Sequence, residues 1–347
     1  EVGTSAVVIL LSQSLLNVLL AWEKQKQVEG YVSLALMGGL VALALFLSTV
    51  EWTQKTGVPL PIAMVQTAVS QSAKQDLSTQ RARLTDLTEL SEPYLGKAKL
   101  IIWPETVVTL NRGDIDQALS EFEKQVMFAR TTILVGAYES SLDNKQFNTA
   151  FTLGYEGGQK YQKRHLVPFG EYVPDFLWFL DEYVPGDKFR NIGKNAMLIA
   201  NSGALFGISI CWEGSFARDN TPLVRAGAQV LVNIANEAWF AGSTLPQQNL
   251  DAMRLRALET GRPAVRVANF GPGAIVSHSG EVTTSLIADS AGAALGQVQP
   301  RIGVTPFVLL GADFILAMAC GILLIICLLV RSRNRLDKQE KTQGVEV

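Results

Sequence analysis

Two histidines and three cysteines among 347 residues are too few for several kinds of chemistry. Cys320 and Cys327 lie in an apolar run, which leaves Cys211 as the lone thiol outside such runs, so a zinc site has almost no nitrogen or sulfur ligands to draw on. No G-x-S-x-G is present, which removes the nucleophile elbow of a serine hydrolase, and neither a P-loop nor a dinucleotide fingerprint occurs. Charge of one sign is missing as well: 30 basic against 32 acidic residues give a formal net charge of −2, with no global basic field for nucleic acid. The chain also lacks internal repeats and low-complexity tracts. A single thiol cannot close an intramolecular bridge, so Cys211 is compatible with an oxidising compartment.

What the chain does have is apolar sequence concentrated at its two ends. Residues 5–22, 31–50 and 306–330 are candidate membrane spans, judged against the ~20 helical residues that cross a bilayer. Ser12, Gln13, Ser14 and Asn17 make the first the weakest, and Asp313 in the third needs an interfacial place or a partner. A signal peptide is the competing reading of the first run, but no basic stretch precedes it and a second apolar run follows at once. Lys24 and Lys26, with Arg331, Arg333, Arg335, Lys338 and Lys341, place the first loop and the charged tail 331–347 on the cytoplasmic side. Residues 51–305 then face outward. The opening EVGTSAVV has no initiating Met, and the reading takes the chain as a piece of a longer one.

Between these ends, strand-like and helix-like patterns alternate, as in an α/β domain. Strands are expected at 62–66, 99–103, 131–138, 147–155, 205–211 and 230–235, with closing strands in VRVANF, GAIVSH and EVTTSLIA. Helices are expected over 74–92, 114–130 and 245–261, the last stopped by Gly261. Residues 51–60 read as a linker and the tail 331–347 as disordered.

Three residues invite a chemical reading. Cys211 ends the run GISIC and is followed by Trp212 and Glu213; alone, it reads equally as a buried structural cysteine. Glu105 follows LIIWP, where burial would raise its pKa towards that of a useful base, or it is a capping or surface carboxylate. Lys163 lies in KYQKRHLVPFGEYVP, either in a solvated basic loop or as a fixed ammonium that lowers the thiol pKa and steadies an oxyanion. Glu171 lies in the same segment, a candidate to pair with Lys163 or to share the proton work. His165 reads as a loop residue and His278 as a turn residue.

WPE, KxHLVPFGE and CWE, in that order, together with NEAWFAG at 236–242 and QQNLDAMRLRALETGRPAVRVAN at 247–269, resemble the nitrilase superfamily. Within it they are similar to the apolipoprotein N-acyltransferases. The resemblance covers nearly the whole chain and implies an αββα sandwich over 59–305, flanked by two spans in 1–58 and one at 306–330. It implies Glu105 as general base, Lys163 as oxyanion-stabilising lysine, Cys211 as nucleophile and Glu171 as a further essential carboxylate. Trp212 and Glu213 follow the nucleophile as in the family, and Trp239 falls in a loop near the site. By this likeness the chain moves an acyl group from a glycerophospholipid, through a Cys211 thioester, to the α-amine of a diacylglyceryl-cysteine on an apolipoprotein. It would do so in the bacterial inner membrane, with its catalytic domain periplasmic, and with no metal or cofactor. A membrane-tethered amidase or nitrilase using the same residues is the alternative, and a non-catalytic scaffold a third reading. Two departures stand out: relatives carry several more spans before the first one here, and NFGPGA at 269–274 replaces the family's Asn-Thr-Gly or Asn-Asn-Gly.

Overall fold

The computed structural model describes residues 2–23, 27–70, 73, 79–106, 112–140, 145–180, 191–194 and 198–311, and then 313, 314, 317, 320, 321 and 324. The chain divides into two compact units, one of residues 1–51 and 309–347, the other Trp52–Val308.

In the first unit, α1 (Val2–Glu23) and α2 (Gln27–Ser48) are the long helices among the described residues. Residues Gly30–Ser48 form a helix of 19 residues with mean hydropathy 2.1, long and apolar enough to cross a membrane. Val7–Glu23 is a shorter apolar helix, consistent with the polar residues noted in that run. Much of 306–330 lies outside the described residues, as do Lys24, Lys26 and the basic positions after 330.

The second unit begins with β1 (Thr53–Lys55) and β2 (Leu60–Gln66), then α3 (Gln80–Ser91) and β3 (Leu100–Ile102). Next come α4 (Arg112–Ala118), α5 (Ser120–Phe128), β4 (Thr132–Ser140), β5 (Gln146–Gly154) and β6 (Lys160–Gln162). The second half holds β7 (Leu198–Asn201), β8 (Ala204–Ile210), α6 (Ala217–Arg225), β9 (Val230–Ala235) and α7 (Leu245–Thr260). It closes with β10 (Ala264–Ala268), β11 (Ala274–Val276), β12 (Val282–Ser285), β13 (Gly292–Val298), β14 (Arg301–Gly303) and α8 (Pro306–Leu310).

Two six-stranded sheets result, ordered β13-β2-β3-β4-β5-β6 and β12-β11-β10-β9-β8-β7, with β1 and β14 paired apart. Each sheet has a parallel centre, β2-β3-β4 in one and β8-β9-β10 in the other. The strands alternate between two apolar layers, which is why they read as unbroken hydrophobic runs. Ile62, Met64, Ile102 and Leu134 meet Ile208, Val232 and Val265 between the sheets. Ala63, Val65, Ile101 and Ile133 turn outward to Leu84, Leu87, Phe122 and Val126 of the first sheet's helices. Leu231, Ala264 and Val276 do the same against Leu223, Leu250 and Met253 of α6 and α7. The layers are therefore helix, sheet, sheet, helix, the expected αββα sandwich.

The differences from expectation are local. The helix expected over 114–130 is two helices, broken at Leu119, where ψ is 2°. The described helix within 74–92 starts at Gln80, and Leu77 lies outside the described residues. The edge strands β6, β7 and β13 and the pair β1 and β14 were not foreseen: β1 falls within the 51–60 stretch read as a linker, and GAALGQV of β13 holds a single β-branched residue, Val298. Gly261 ends α7 in the left-handed conformation at φ +62°, as expected.

Candidate active site

Each of the three chemical side chains sits at or just beyond a strand end. Glu105 follows β3 and the buried Trp103 and Pro104. The segment is tied to β4 by Trp103 N–H donating to Leu134 O at 2.9 Å and Thr106 N–H to Gly136 O at 3.1 Å. Gly136 permits this approach, since a Cβ there would lie 2.7 Å from Pro104 O and 2.8 Å from Glu105 Cα. Lys163 follows β6, its N–H donating to Asn148 O at 2.8 Å. Cys211 follows β8 and opens the 3₁₀ turn Cys211–Ser215 with φ +57°, the left-handed region that few non-glycine residues adopt.

The two carboxylates and the ammonium converge in the interior. Lys163 Nζ donates to Glu171 Oε1 at 2.8 Å and lies 3.5 Å from Glu105 Oε1. Asn148 Nδ2 spans both acids, 2.6 Å from Glu105 Oε1 and 3.2 Å from Glu171 Oε1. Glu105 Oε2 accepts the Asn236 backbone N–H at 2.8 Å, and Glu171 Oε2 that of Val167 at 2.7 Å. Cys211 is a free cysteine packed against the inter-sheet core. It couples electrostatically to Glu105, Lys163 and Glu171.

Lys163 pulls the Cys211 pKa down, as expected, but does not decide it. Burial pushes the Cys211 thiol well above its usual range, Glu105 pushes the same way, and the downward pull of Lys163 does not cancel them. The resting thiol is therefore neutral. Burial also opposes the charge on Lys163, but the Glu105 and Glu171 carboxylates outweigh it and keep the amine protonated, with its pKa raised. The arrangement holds a neutral thiol, one ammonium and two carboxylates. It can lend a proton acceptor to the thiol and a fixed positive charge to an adjacent oxyanion.

Glu213 links the Lys163 loop to the end of the Cys211 strand. Its Oε2 accepts Ile210 N–H at 2.7 Å, and its Oε1 accepts Arg164 N–H at 2.8 Å and His165 N–H at 3.0 Å. Tyr161 OH donates to the same carboxylate at 2.9 Å. Burial raises the Glu213 pKa against these donors, so its contribution to stability is largest below the ordinary value of 4.5 and is lost as pH rises through the folded-state value. Glu213→Gln abolishes that pH dependence and sets an NH2 against donors, costing about 1–3 kcal/mol. Urea unfolding at several pH values between about 4 and 8 reads both effects. An unchanged slope would remove Glu213 from this role.

Trp212 packs beside the same loop, its Nε1 donating to His165 O at 3.1 Å and its ring 5.0 Å from that of His165. His165 is a loop residue, as expected, and its Nδ1 lies 2.7 Å from Asp219 Oδ2. His278 occupies a turn, as expected. Trp239 is half exposed in the turn Ala238–Phe240, and among the described residues no hydrogen bond or ring contact joins it to Glu105, Lys163 or Cys211. Asn148 and Asn236 were missed as site residues. A signal existed for Asn148, a polar residue at the same parity as Ala150 on the inter-sheet face of β5. Asn236 lies in a motif already singled out, but it acts through its backbone. In NFGPGA, Asn269 is buried and donates to Val69 O at 2.7 Å and Asn236 Oδ1 at 3.0 Å.

Comparison with known proteins places the chain in a family. The chain is 31% identical over 295 residues to an apolipoprotein N-acyltransferase of Nitrosomonas europaea, covering 83% of this chain and 59% of that protein. It is 31% identical over 313 residues to that of Methylococcus capsulatus, covering 88% and 61%. The chain thus spans about three-fifths of the length of these curated relatives. Among solved structures, yeast Nit3, a member of the nitrilase superfamily, matches at TM-score 0.54 and 15% identity over 72% of this chain and 93% of its own. The glutamine-dependent NAD+ synthetase of Acinetobacter baumannii matches at TM-score 0.55 and 14% identity, covering 72% of this chain and 48% of that one. These two likenesses concern the fold. The family model of the carbon-nitrogen hydrolases matches residues 61–306, from β2 to the start of α8, and the chain belongs to that family.

Proposed function

We propose that the chain is an acyltransferase of lipoprotein maturation, with Cys211 as nucleophile, Glu105 as general base and Lys163 as the oxyanion's positive charge. The observation that carries the reading is the convergence of the ammonium on two carboxylates beside a thiol at the head of a tight turn. The apolar helix Gly30–Ser48 and the likeness to apolipoprotein N-acyltransferases favour substrates held in a bilayer. In this reading residues 59–305 form the catalytic domain, facing the periplasm from the bacterial inner membrane.

The chemistry runs in two halves. Glu105 takes the thiol proton as sulfur attacks the ester carbonyl of a glycerophospholipid, and a C–S bond forms. Lys163 and the first amides of the 3₁₀ turn, which have no helical acceptor, stabilise the oxyanion. The C–O bond breaks, Glu105 returns the proton to the departing lysophospholipid, and a thioester remains on Cys211. The α-amine of a diacylglyceryl-cysteine then attacks. Glu105 accepts the amine proton and passes it to the sulfur as the thioester breaks, leaving an amide and the free thiol. Glu171 and Asn148 hold Lys163 and Glu105 in register throughout.

The test separates acceptors. The chain in phospholipid vesicles, given a diacylglyceryl-cysteine peptide and acyl-labelled phospholipid, is expected to transfer label to the peptide amine. Label appearing only as free fatty acid, or ammonia released from a small amide with no acylated peptide, would replace this reading with the amidase one.

A further inference from the structure

Beneath the turn that carries Cys211 lies a second polar network, on the face of the sheet turned towards α7. Arg266 sits in the middle of β10, a strand buried at every position, and is itself 1% exposed. A guanidinium in such a place is costly unless it is paired and hydrogen-bonded. Arg266 pairs in register with Asn233 of β9, and its Nη1 donates to Asn233 Oδ1. Its Nη2 lies 2.5 Å from Glu237 Oε1, a carboxylate equally buried. Asn249 of α7 donates to the same oxygen at 2.5 Å.

This contact fixes which way the Asn233 carboxamide points. Its oxygen and nitrogen ends are alike in shape, but a guanidinium only donates, so the oxygen must face Arg266. Asn233 Nδ2 is then turned to the nucleophile's turn, 2.9 Å from Cys211 O and 3.1 Å from Ser209 Oγ. Space for the amide is left by Gly214, where a Cβ would lie 2.8 Å from Asn233 Nδ2 and 2.8 Å from Met253 Sδ. The same ion pair anchors the exit of β9, because Glu237 directly follows Asn236, whose N–H holds Glu105.

We infer that Arg266 and Asn233 are positioning residues: Arg266, paired with Glu237, orients the Asn233 carboxamide so that it holds the Cys211 carbonyl in its left-handed turn and keeps Asn236 N–H on Glu105. Neither side chain touches a reacting atom. The inference rests on the reading of Cys211 as nucleophile.

Asn233→Asp tests it sharply. The carboxylate keeps the shape and pairs with Arg266, but presents an acceptor where Cys211 O needs a donor. The melting temperature is expected to stay within about 4 °C of wild type. Acyl transfer is expected to lose about 100-fold in kcat at unchanged KM for the phospholipid, the scale of a small misplacement of a reacting group. Iodoacetamide labelling of Cys211, followed by peptide mapping from pH 6 to 10, should slow and shift its profile in parallel. Arg266→Lys retains the charge but not the two-pronged donor, and about a tenfold loss in both readouts is expected. It decides the matter if Asn233→Asp does not fold. Wild-type labelling profiles and kcat in the folded variants, or losses that only track a lowered melting temperature, overturn the inference. Labelling does not depend on the acyl acceptor. A wild-type chain that transfers no acyl group, but whose labelling still shifts in the variants, would sink the proposed function and leave the positioning role standing.

Discussion

Exchange of Cys211 for alanine is expected to abolish acyl transfer, by about 10⁵-fold or more, without unfolding the domain. Glu105→Gln is expected to cost about 10³- to 10⁴-fold, the upper range for a general base. The reason lies in the thiol's surroundings. Burial and the Glu105 carboxylate hold Cys211 protonated, and Lys163 does not reverse this. On the proposed reading the thiol gains nucleophilicity by handing its proton to Glu105 at the moment of attack, not by resting as a thiolate. Removal of the carboxylate also removes a charge that raises the thiol pKa, so acyl transfer should fall while iodoacetamide labelling sets in at lower pH than in wild type. A Glu105→Gln variant that transfers acyl groups as fast as wild type would mean that some other group takes the proton. Glutamine also sets an NH2 against one of two donors, Asn148 Nδ2 or Asn236 N–H, so a modest loss of stability should accompany the kinetic one.

Lys163→Met is expected to strike both activity and stability. The oxyanion loses its fixed charge, which is worth about 10²- to 10³-fold in kcat. More drastically, Glu105 and Glu171 are left facing one interior space with Asn148 as their shared donor. Breaking a buried pair by deleting one partner costs about 3–5 kcal/mol. The sign with pH is also fixed. Without the ammonium the two like charges repel each other, so the variant is expected to lose more stability at neutral pH than in acid. Thermal melts at about pH 7 and pH 5 read this directly. A variant that melts with wild type at both values would show that Lys163 does not hold the carboxylates together.

The parts of the site legible in the sequence are those written in short local motifs. Glu105, Lys163 and Cys211 each stand at or just beyond a strand end, where a buried run meets a polar residue, and Glu171 and Glu213 lie in the same motifs. The fold was legible for the same reason: strands buried on both faces, such as VLVNIA and KLIIW, announce themselves as apolar runs. The illegible parts depend on register or on balance. Asn148 reaches Glu105 because β5 is antiparallel to β4, and Arg266 reaches Asn233 because β10 pairs with β9 at that position. Neither follows from spacing along the chain. The net direction of the thiol's pKa was not legible, because a lysine nearby is visible in sequence, whereas the depth of burial that outweighs it is not. The break at Leu119 carries no glycine or proline to signal it, and four of the seven residues of β13 are glycine or alanine.

The most direct test of the account is intact-mass spectrometry of the chain after brief exposure to a phospholipid of defined acyl chains, with no amine acceptor present. A mass increase of one acyl group, mapped to Cys211, released by hydroxylamine and missing from Cys211→Ala, is the expected result. An acyl group on any other residue, or none while transfer to a lipopeptide still proceeds, would contradict it.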